Sequence, residues 1–549
     1  MKRIYAILCS LAMTVSLVSC NEGDDEEIEY KGSGGGMMYN VSLLNNPESL
    51  DPQYADDEAS LNVITNLYSG LLQLDKNGNI ECCNAESYDI SKDGLTYTFK
   101  LRDDNFWFFD TSDDDYIDDE ELIPVTAHDY EFALKRVLDP QMRSPYAEEF
   151  KCIKGGAASL NGSGSSIGVT ASDDYTLKIE LEYAAADFLT LLTTPAAYPC
   201  NEEFFISTKG RYGLDDDSVM SNGAFFVRQW FYDPYGNNNI LYMKANTANS
   251  TDDNEICPSF LSYTIERSSF DIRNMFKDAK IDCFTTLNKN SFEKKKYNID
   301  AKSSITLGII FNNEEPVCTN RNFRRAFAYA VDRETINEQT NNDVLPAYGI
   351  IPPAVTLLGR SYRDLYNDKN FNYFDSEKAV EFIDKAKEEM KAESFGTLKI
   401  LMNTESVDSA YVHILAREMQ EILGFYVSVE EVTASDFYDR IESGDFQIAL
   451  YPLKAKYNSG ISVIDQLALL KYAQINGDTK KELDKIHRCA NSADLVKEFS
   501  NAEKTILEEY NFIPVFYKNS YLIAESENAD LIFEPFSGSV NFRKAKHYD

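Results

Sequence analysis

The chain has 549 residues, 43% of them hydrophobic, which is too long for one ordinary core, so two or three domains are expected. Its formal net charge of -37 repels DNA, RNA and anionic lipid headgroups, which argues against a nucleic-acid role and reads as a solubilising surface. Tyr and Phe are abundant at 34 and 33, a bias that suits polar-lipped cavities and ordinary cores alike.

At the N-terminus, Lys2 and Arg3 precede a mostly apolar run from Ile4 to Val18, too short for a comfortable membrane span. Leu17-Val18-Ser19-Cys20 resembles the lipobox of bacterial lipoproteins. That resemblance implies a signal peptide over residues 1–19 and a lipid on Cys20. Residues 20–36 are acidic and then Gly-rich, with no apolar period, and read as a flexible tether. No later stretch is apolar enough to cross a bilayer, so the lipid would be the only anchor. Folded sequence begins near Met37.

Further along, Tyr97, Phe99 and Leu101 alternate with Thr98 and Lys100, which predicts a half-buried strand. Tyr130, Ala133, Leu134, Val137 and Leu138 recur at helical spacing, with Thr126 as N-cap, Asp129 three residues on, and Asp139-Pro140 as the stop. Residues 161–166 form a surface loop. Leu177, Ile179 and Leu181 alternate with Lys178, Glu180 and Glu182 as a second strand. Phe323, Ala326, Phe327 and Ala330 mark another amphipathic helix. Asp375 caps a third, whose apolar face is Ala379, Phe382, Ile383, Ala386 and Met390. A strand at Ile448–Tyr451, helix-rich sequence over 461–512 and strand-like sequence over 515–549 complete an α/β chain with mixed sheets.

Ten cysteines are present, and setting Cys9 and Cys20 aside leaves Cys82, Cys83, Cys152, Cys200, Cys257, Cys283, Cys318 and Cys489. Export permits disulfides, but the sequence does not give their pairing, and reduced core cysteines remain an alternative. No CxxC pair stands in the chain, so a zinc knuckle has no support.

Several blocks occur in a telling order. Pro47-Glu48-Ser49-Leu50-Asp51-Pro52 comes first, then Leu67-Tyr68-Ser69-Gly70-Leu71 and Asp93-Gly94-Leu95-Thr96-Tyr97. Pro124-Val125-Thr126-Ala127-His128-Asp129-Tyr130 and Ser144-Pro145-Tyr146 follow, then Ser221-Asn222-Gly223-Ala224-Phe225. Asn322-Phe323-Arg324-Arg325-Ala326-Phe327 and Ala502-Glu503-Lys504-Thr505 come last. Together they resemble the bacterial extracellular solute-binding proteins of family 5, the oligopeptide- and dipeptide-binding lipoproteins of ABC importers.

The resemblance implies a two-lobed periplasmic-binding-protein-like fold of type II, cluster C, with hinge strands. One lobe would be 37–304 plus 515–549, including an extra subdomain near 72–205; the other would be 305–514. The solute would lie in the cleft, and the lobes would shut over it because it touches both only when closed. An oligopeptide ligand, the permease subunits of an ABC importer and a membrane reached through the lipid are the implied partners. A monomer outside the cytoplasm, without nucleic acid, cofactor or catalytic residue, is expected.

In peptide-binding relatives the ligand is extended and pairs through its backbone with segments that match Ala55–Ala59 and Pro452–Lys456. The resemblance therefore points to Asp56, Asp57, Glu58, Tyr146, Asn222, Gly223, Lys454, Ala455, Lys456 and Tyr457 as ligand-binding candidates. Tyr146 equally suits a core position, and 55–59 a plain loop. The chain departs from the pattern at Lys456, where relatives carry an Asp that pairs with the peptide amino group; an ammonium cannot hold another ammonium. Pro452 also lacks a strand N–H donor, and Asp408 falls near a position that is basic in some relatives. Either Asp56, Asp57 or Glu58 supplies the missing anion, or the ligand is not a free-amine peptide and Lys456 meets an acidic group. A peptide-signal receptor is a further alternative on the same fold.

Two rival constellations remain. Asp110, Ser112, Asp114, Asp118 and Glu121 have the spacing of a calcium loop, but Asp115 stands where the sharp turn needs Gly. A solvated acidic insertion and a structural calcium site are both open. Enzyme chemistry has little support: His128, His413, His487 and His547 are the only histidines, and HExxH does not occur.

Overall fold

The computed structural model describes residues 37–547 apart from 112–116, 165, 237–238, 252–253, 267, 290–291, 341–343, 367–373 and 474–476. Cys20, the signal segment, the tether, Ser112 and Asp114 lie outside the described residues.

Two long strands dominate the architecture. Tyr297–Phe311 spans 15 residues and Phe512–Glu525 spans 14. They pair antiparallel from Tyr297 opposite Glu525 to Ile310 opposite Phe512. The register slips twice, between Ser303 and Ile305 and between Leu307 and Gly308. These are bulges, which bend a strand and raise its local twist. Ser303 Oγ donates to Asn519 Oδ1 at 2.5 Å, and the Ser304 and Ser520 hydroxyls meet at 2.7 Å beside the first slip. Gly308 has no room for a side chain: a Cβ there would lie 2.2 Å from the Phe512 ring.

Among the described residues these two strands sit in the middle of an eleven-stranded mixed sheet. On one side follow Cys283–Thr286, Met38–Leu43, Phe260–Ile265, Ile240–Ala245 and Phe225–Phe231. On the other follow Ile448–Lys454, Leu398–Asn403 and Val427–Val432, and the eleventh strand, Leu345–Pro346, pairs with Phe512–Glu525 off this path. Each side carries its own apolar cluster. Tyr39, Val41 and Tyr263 join Trp107, Tyr130 and Phe150 on the first. Leu307, Ile309, Phe323, Phe327, Ile400 and Leu450 join on the second. A separate four-stranded sheet, in the order Ala85–Ile90, Thr96–Leu101, Thr176–Glu180, Val169–Asp173, packs into the first cluster.

Local sequence explains the helices. In Ala127–Val137 the Asp129 carboxylate accepts from the Thr126 N–H at 2.7 Å, closing the first turn. Asp375 accepts from the Lys378 N–H at 3.0 Å and starts Ser376–Met390, which buries Ala379, Phe382, Ile383 and Ala386. Arg321–Ala330 turns Phe323, Ala326, Phe327 and Ala330 inward. Buried ion pairs then tie loops to these helices. Arg136 meets Asp51 at 2.6 Å and Gln53 Oε1 at 2.7 Å. Glu503 pairs with Arg363 and accepts from the Ile350 and Ile351 N–H groups at 2.6 and 2.8 Å. None of the eight described cysteines is bonded to another.

Candidate functional site

A cavity opens beside the first cluster, which contributes Tyr146, Tyr198, Tyr457 and Phe533 to its lining; its empty space is about 1120 Å³, counting the part open to solvent. One wall is the hairpin turn 73–78 with Tyr146, Thr194 and Tyr198. The other is Ala354, Thr356 and Lys456–Asn458, and the C-terminal hairpin Ile532–Asn541 contributes a third side. A second cavity of about 600 Å³ adjoins it, sharing Tyr146, Lys456 and Phe536. A third of about 900 Å³ shares Gly78, Thr356 and Asn458. The three form a trough along the seam between the halves.

Most ligand candidates gather there. Asp56, Glu58, Tyr146, Lys454, Ala455 and Lys456 line the second cavity, and Tyr457 lines the first. Tyr146 is buried, and its hydroxyl donates to the Ala55 carbonyl at 3.0 Å, which joins the 55–59 segment to the cavity wall. Burial, with Asp56, Glu149 and Asp57 nearby, pushes that hydroxyl well above its usual range. Asp57 is committed elsewhere: it caps helix Glu58–Leu67 by accepting from the Ser60 N–H at 2.9 Å. Glu58 accepts from the Thr285 hydroxyl at 3.1 Å.

Lys456 already has partners. Its ammonium meets Glu149 at 2.7 Å and the Pro145 carbonyl at 2.9 Å, across the trough. In this structure a carboxylate of the protein holds it. Tyr457 donates to Asp187 Oδ2 at 3.4 Å, and Ser459 donates to the same oxygen at 3.0 Å. Burial raises Asp187 above the ordinary carboxylate range.

Asn222 and Gly223 stand apart from the cavities, contrary to expectation. The Asn222 amide donates to the Ser69 carbonyl at 3.0 Å and accepts from the Ser69 N–H at 3.2 Å, while its backbone carbonyl accepts from Asn105 at 3.0 Å. A Cβ on Gly223 would lie 2.5 Å from the Leu67 backbone. The pair is a packing joint, fully buried, that fastens one strand to a helix end. Asp408 caps helix Ser409–Leu423 and lines a separate cavity with Lys518.

The acidic insertion shows no converged oxygens among the described residues. Asp110 pairs with Arg228 at 3.0 Å, and Glu121 accepts from the Thr111 N–H at 2.8 Å. Asp118 precedes a short turn at Asp119–Glu121. No group of three or more His, Cys, Asp or Glu able to hold a metal occurs among the described residues.

Three contributors escaped the sequence reading. The turn 75–79 is built on Asp75, whose carboxylate accepts from the Asn77 and Asn79 N–H groups at 2.8 Å each. Its Asp-Lys-Asn-Gly-Asn composition was a readable turn signal. Asp187 sits in an apolar stretch, Ala184 to Leu189, with no such signal. Glu534 lies in the C-terminal hairpin, where its carboxylate accepts from the Phe536 N–H at 3.0 Å. Burial pushes Glu534 up to about 7, against the pull of that hydrogen bond and of Lys302 and Lys454.

Comparison with known proteins agrees with this geometry. Residues 80–469 match the family described as bacterial extracellular solute-binding proteins, family 5 Middle. The chain is 27% identical to the oligopeptide-binding protein OppA of Bacillus subtilis, over 99% of each chain. It is 26% identical to the dipeptide-binding protein DppE of the same organism, over 97% of each. The solved structure of the pheromone receptor PrgZ superposes with a TM-score of 0.73 at 22% identity, covering 94% of this chain and 100% of that one. With a matching two-lobed fold and more than half its length in the family's sequence pattern, the chain belongs to the bacterial extracellular solute-binding proteins of family 5.

Proposed function

We propose that this chain is the lipid-anchored binding subunit of an ABC importer, which captures oligopeptides in the trough and delivers them to a membrane permease. The halves of the clamp are 37–304 with 515–549, and 305–514. Cys20 carries the lipid and 20–36 the tether, which keeps the clamp outside the cytoplasm as a monomer. The observation that carries the ligand class is the line of three adjoining cavities, which suits an extended chain rather than a compact solute. Strand Ile448–Lys454 supports it: its pairing with Leu398–Asn403 covers only Ile448–Leu450, so no described strand continues along that edge toward Lys454. The names of OppA and DppE point the same way.

ATP hydrolysis belongs to other subunits in this reading, and the chain itself needs no catalytic group. Native mass spectrometry of the purified protein tests the ligand class. A distribution of retained peptide masses is the expected result, and one recurring non-peptide mass would reject oligopeptides while leaving the fold intact. A second reading, a receptor for a peptide signal, is favoured by the likeness to PrgZ. Loss of growth on peptides after deletion of the gene would separate nutrition from signalling.

A further inference from the structure

Glu534 ends strand Ile532–Glu534 and lines the first cavity, while its neighbours Phe533 and Phe536 are buried in the apolar clusters. An ionised carboxylate can accept about four hydrogen bonds. Among the described residues this one receives a single bond, from the Phe536 N–H. Lys302 and Lys454 act on it electrostatically, yet neither forms an ion pair with it. Lys302 instead reaches the Lys76 carbonyl at 3.4 Å and Asp300 at 3.9 Å. Lys456, on the facing wall, is held by Glu149.

Aromatic rings share the cavity with this carboxylate. Tyr198 is fixed against Gly70, where a Cβ would come within 2.8 Å of its ring. Burial, then Cys83, then the Glu534 charge push the Tyr198 hydroxyl above its usual range, which marks the two side chains as neighbours. Tyr146 lines the same space. A carboxylate short of donors, beside ring faces and partly shielded from water, is complementary to an ammonium or guanidinium group.

We propose that Glu534 is the counter-ion for a cationic group of the cargo, so that this trough favours peptides bearing a free amino terminus or a basic side chain near the C-terminal hairpin. The inference rests on the oligopeptide reading and deepens it: Glu534 takes the anionic role that Lys456 cannot fill. A pH signature follows. Lys302 and Lys454 act on the carboxylate electrostatically, and Tyr146, Tyr198, Tyr457, Asp75, Lys76 and Lys456 share its cavity, while burial holds Glu534 at about 7. Cationic cargo needs Glu534 ionised, so the affinity of a lysine-bearing probe rises with pH through about 7, while a free amino terminus, which loses its own proton at about 8, binds best between the two values.

The test is calorimetric titration of the full chain with three probes: free-amine penta-alanine, the same peptide N-acetylated, and an N-acetylated version with a central lysine. Measurements at about pH 6 and about pH 8 bracket the titration. At least one cationic probe is expected to bind about tenfold or more tighter than the acetylated neutral one. Which probe does so tells amino terminus from side chain. Glu534→Gln should erase that preference and its pH dependence, and Glu534→Asp should keep most of both. The wild-type pH profile stands even where a variant fails to fold. Equal binding of all three probes by the wild type, or an unchanged preference in Glu534→Gln, overturns the inference alone. Binding of none of them by either protein overturns the oligopeptide reading, and the inference with it.

Discussion

Beside the second cavity, Lys456 meets Glu149 at 2.7 Å with 46% of the lysine side chain exposed. Beside the third, Asp187 is half-buried and accepts from Ser459 and Tyr457. Both contacts cross between the halves, but their physics differs. An ion pair in water is screened and holds two long side chains still, so it contributes about 0–1 kcal/mol. A carboxylate withdrawn from water must keep its donors or lose heavily. The lesson is that the more conspicuous charge pair is the weaker clasp, and the neutral hydroxyls around Asp187 hold the seam.

The sharpest way to break that ranking is Asp187→Ala. It strips two hydroxyls of their acceptor and should weaken closure by about 2–3 kcal/mol. Small-angle scattering should show a larger ligand-free radius, and amides of 457–460 should exchange faster. A change in pH gives the next effect. His487 lies 2.9 Å from Asp465. Burial alone would lower its pKa, but the hydrogen bond and charge of Asp465, with Asp187 beyond, win and raise it. The group binds its proton more tightly folded than unfolded. Its stabilisation is complete below the ordinary histidine value and is lost as pH rises through the higher folded one. Melting curves should show a decline of about 0.5–1 kcal/mol there, and His487→Gln should flatten it.

Lys456→Ala should cost the closed form about 1 kcal/mol at most, and about 0.5 M salt should erase even that. If this variant opens the molecule more than Asp187→Ala does, the comparison is reversed. Smallest of all is calcium. With Asp110 already held by Arg228, adding the ion or a chelator should leave the melting temperature unchanged; a clear rise on addition would show that the acidic insertion binds it.

Amphipathic helices were readable because their signals are local. Ala127–Val137 and Ser376–Met390 carry their caps and apolar faces within a few turns. Tyr297–Phe311 was not, since every residue from Ser303 to Phe311 is buried and a strand covered on both faces has no alternation to detect. Tyr146, Lys456 and Tyr457 could be placed by resemblance, while Asp187 could not: its partner Tyr457 is 270 positions away. Asn222 and Gly223 misled for a related reason. The resemblance offered them as ligand candidates, yet here a side chain on the glycine would collide with the Leu67 backbone and the amide satisfies buried backbone. Glu534 ends one of two paired strands of three residues each, too short for any periodicity.

The double-stranded crossing has a consequence for how tightly cargo is gripped. A pair of ribbons hydrogen-bonded along their length resists twisting and shear, so the halves are left little freedom except to flex where Ser303 and Leu307 interrupt the ladder. In the proposed clamp, swinging on so narrow a path, an open form would surrender little disorder on shutting, and most of the attraction between cargo and wall would survive as affinity.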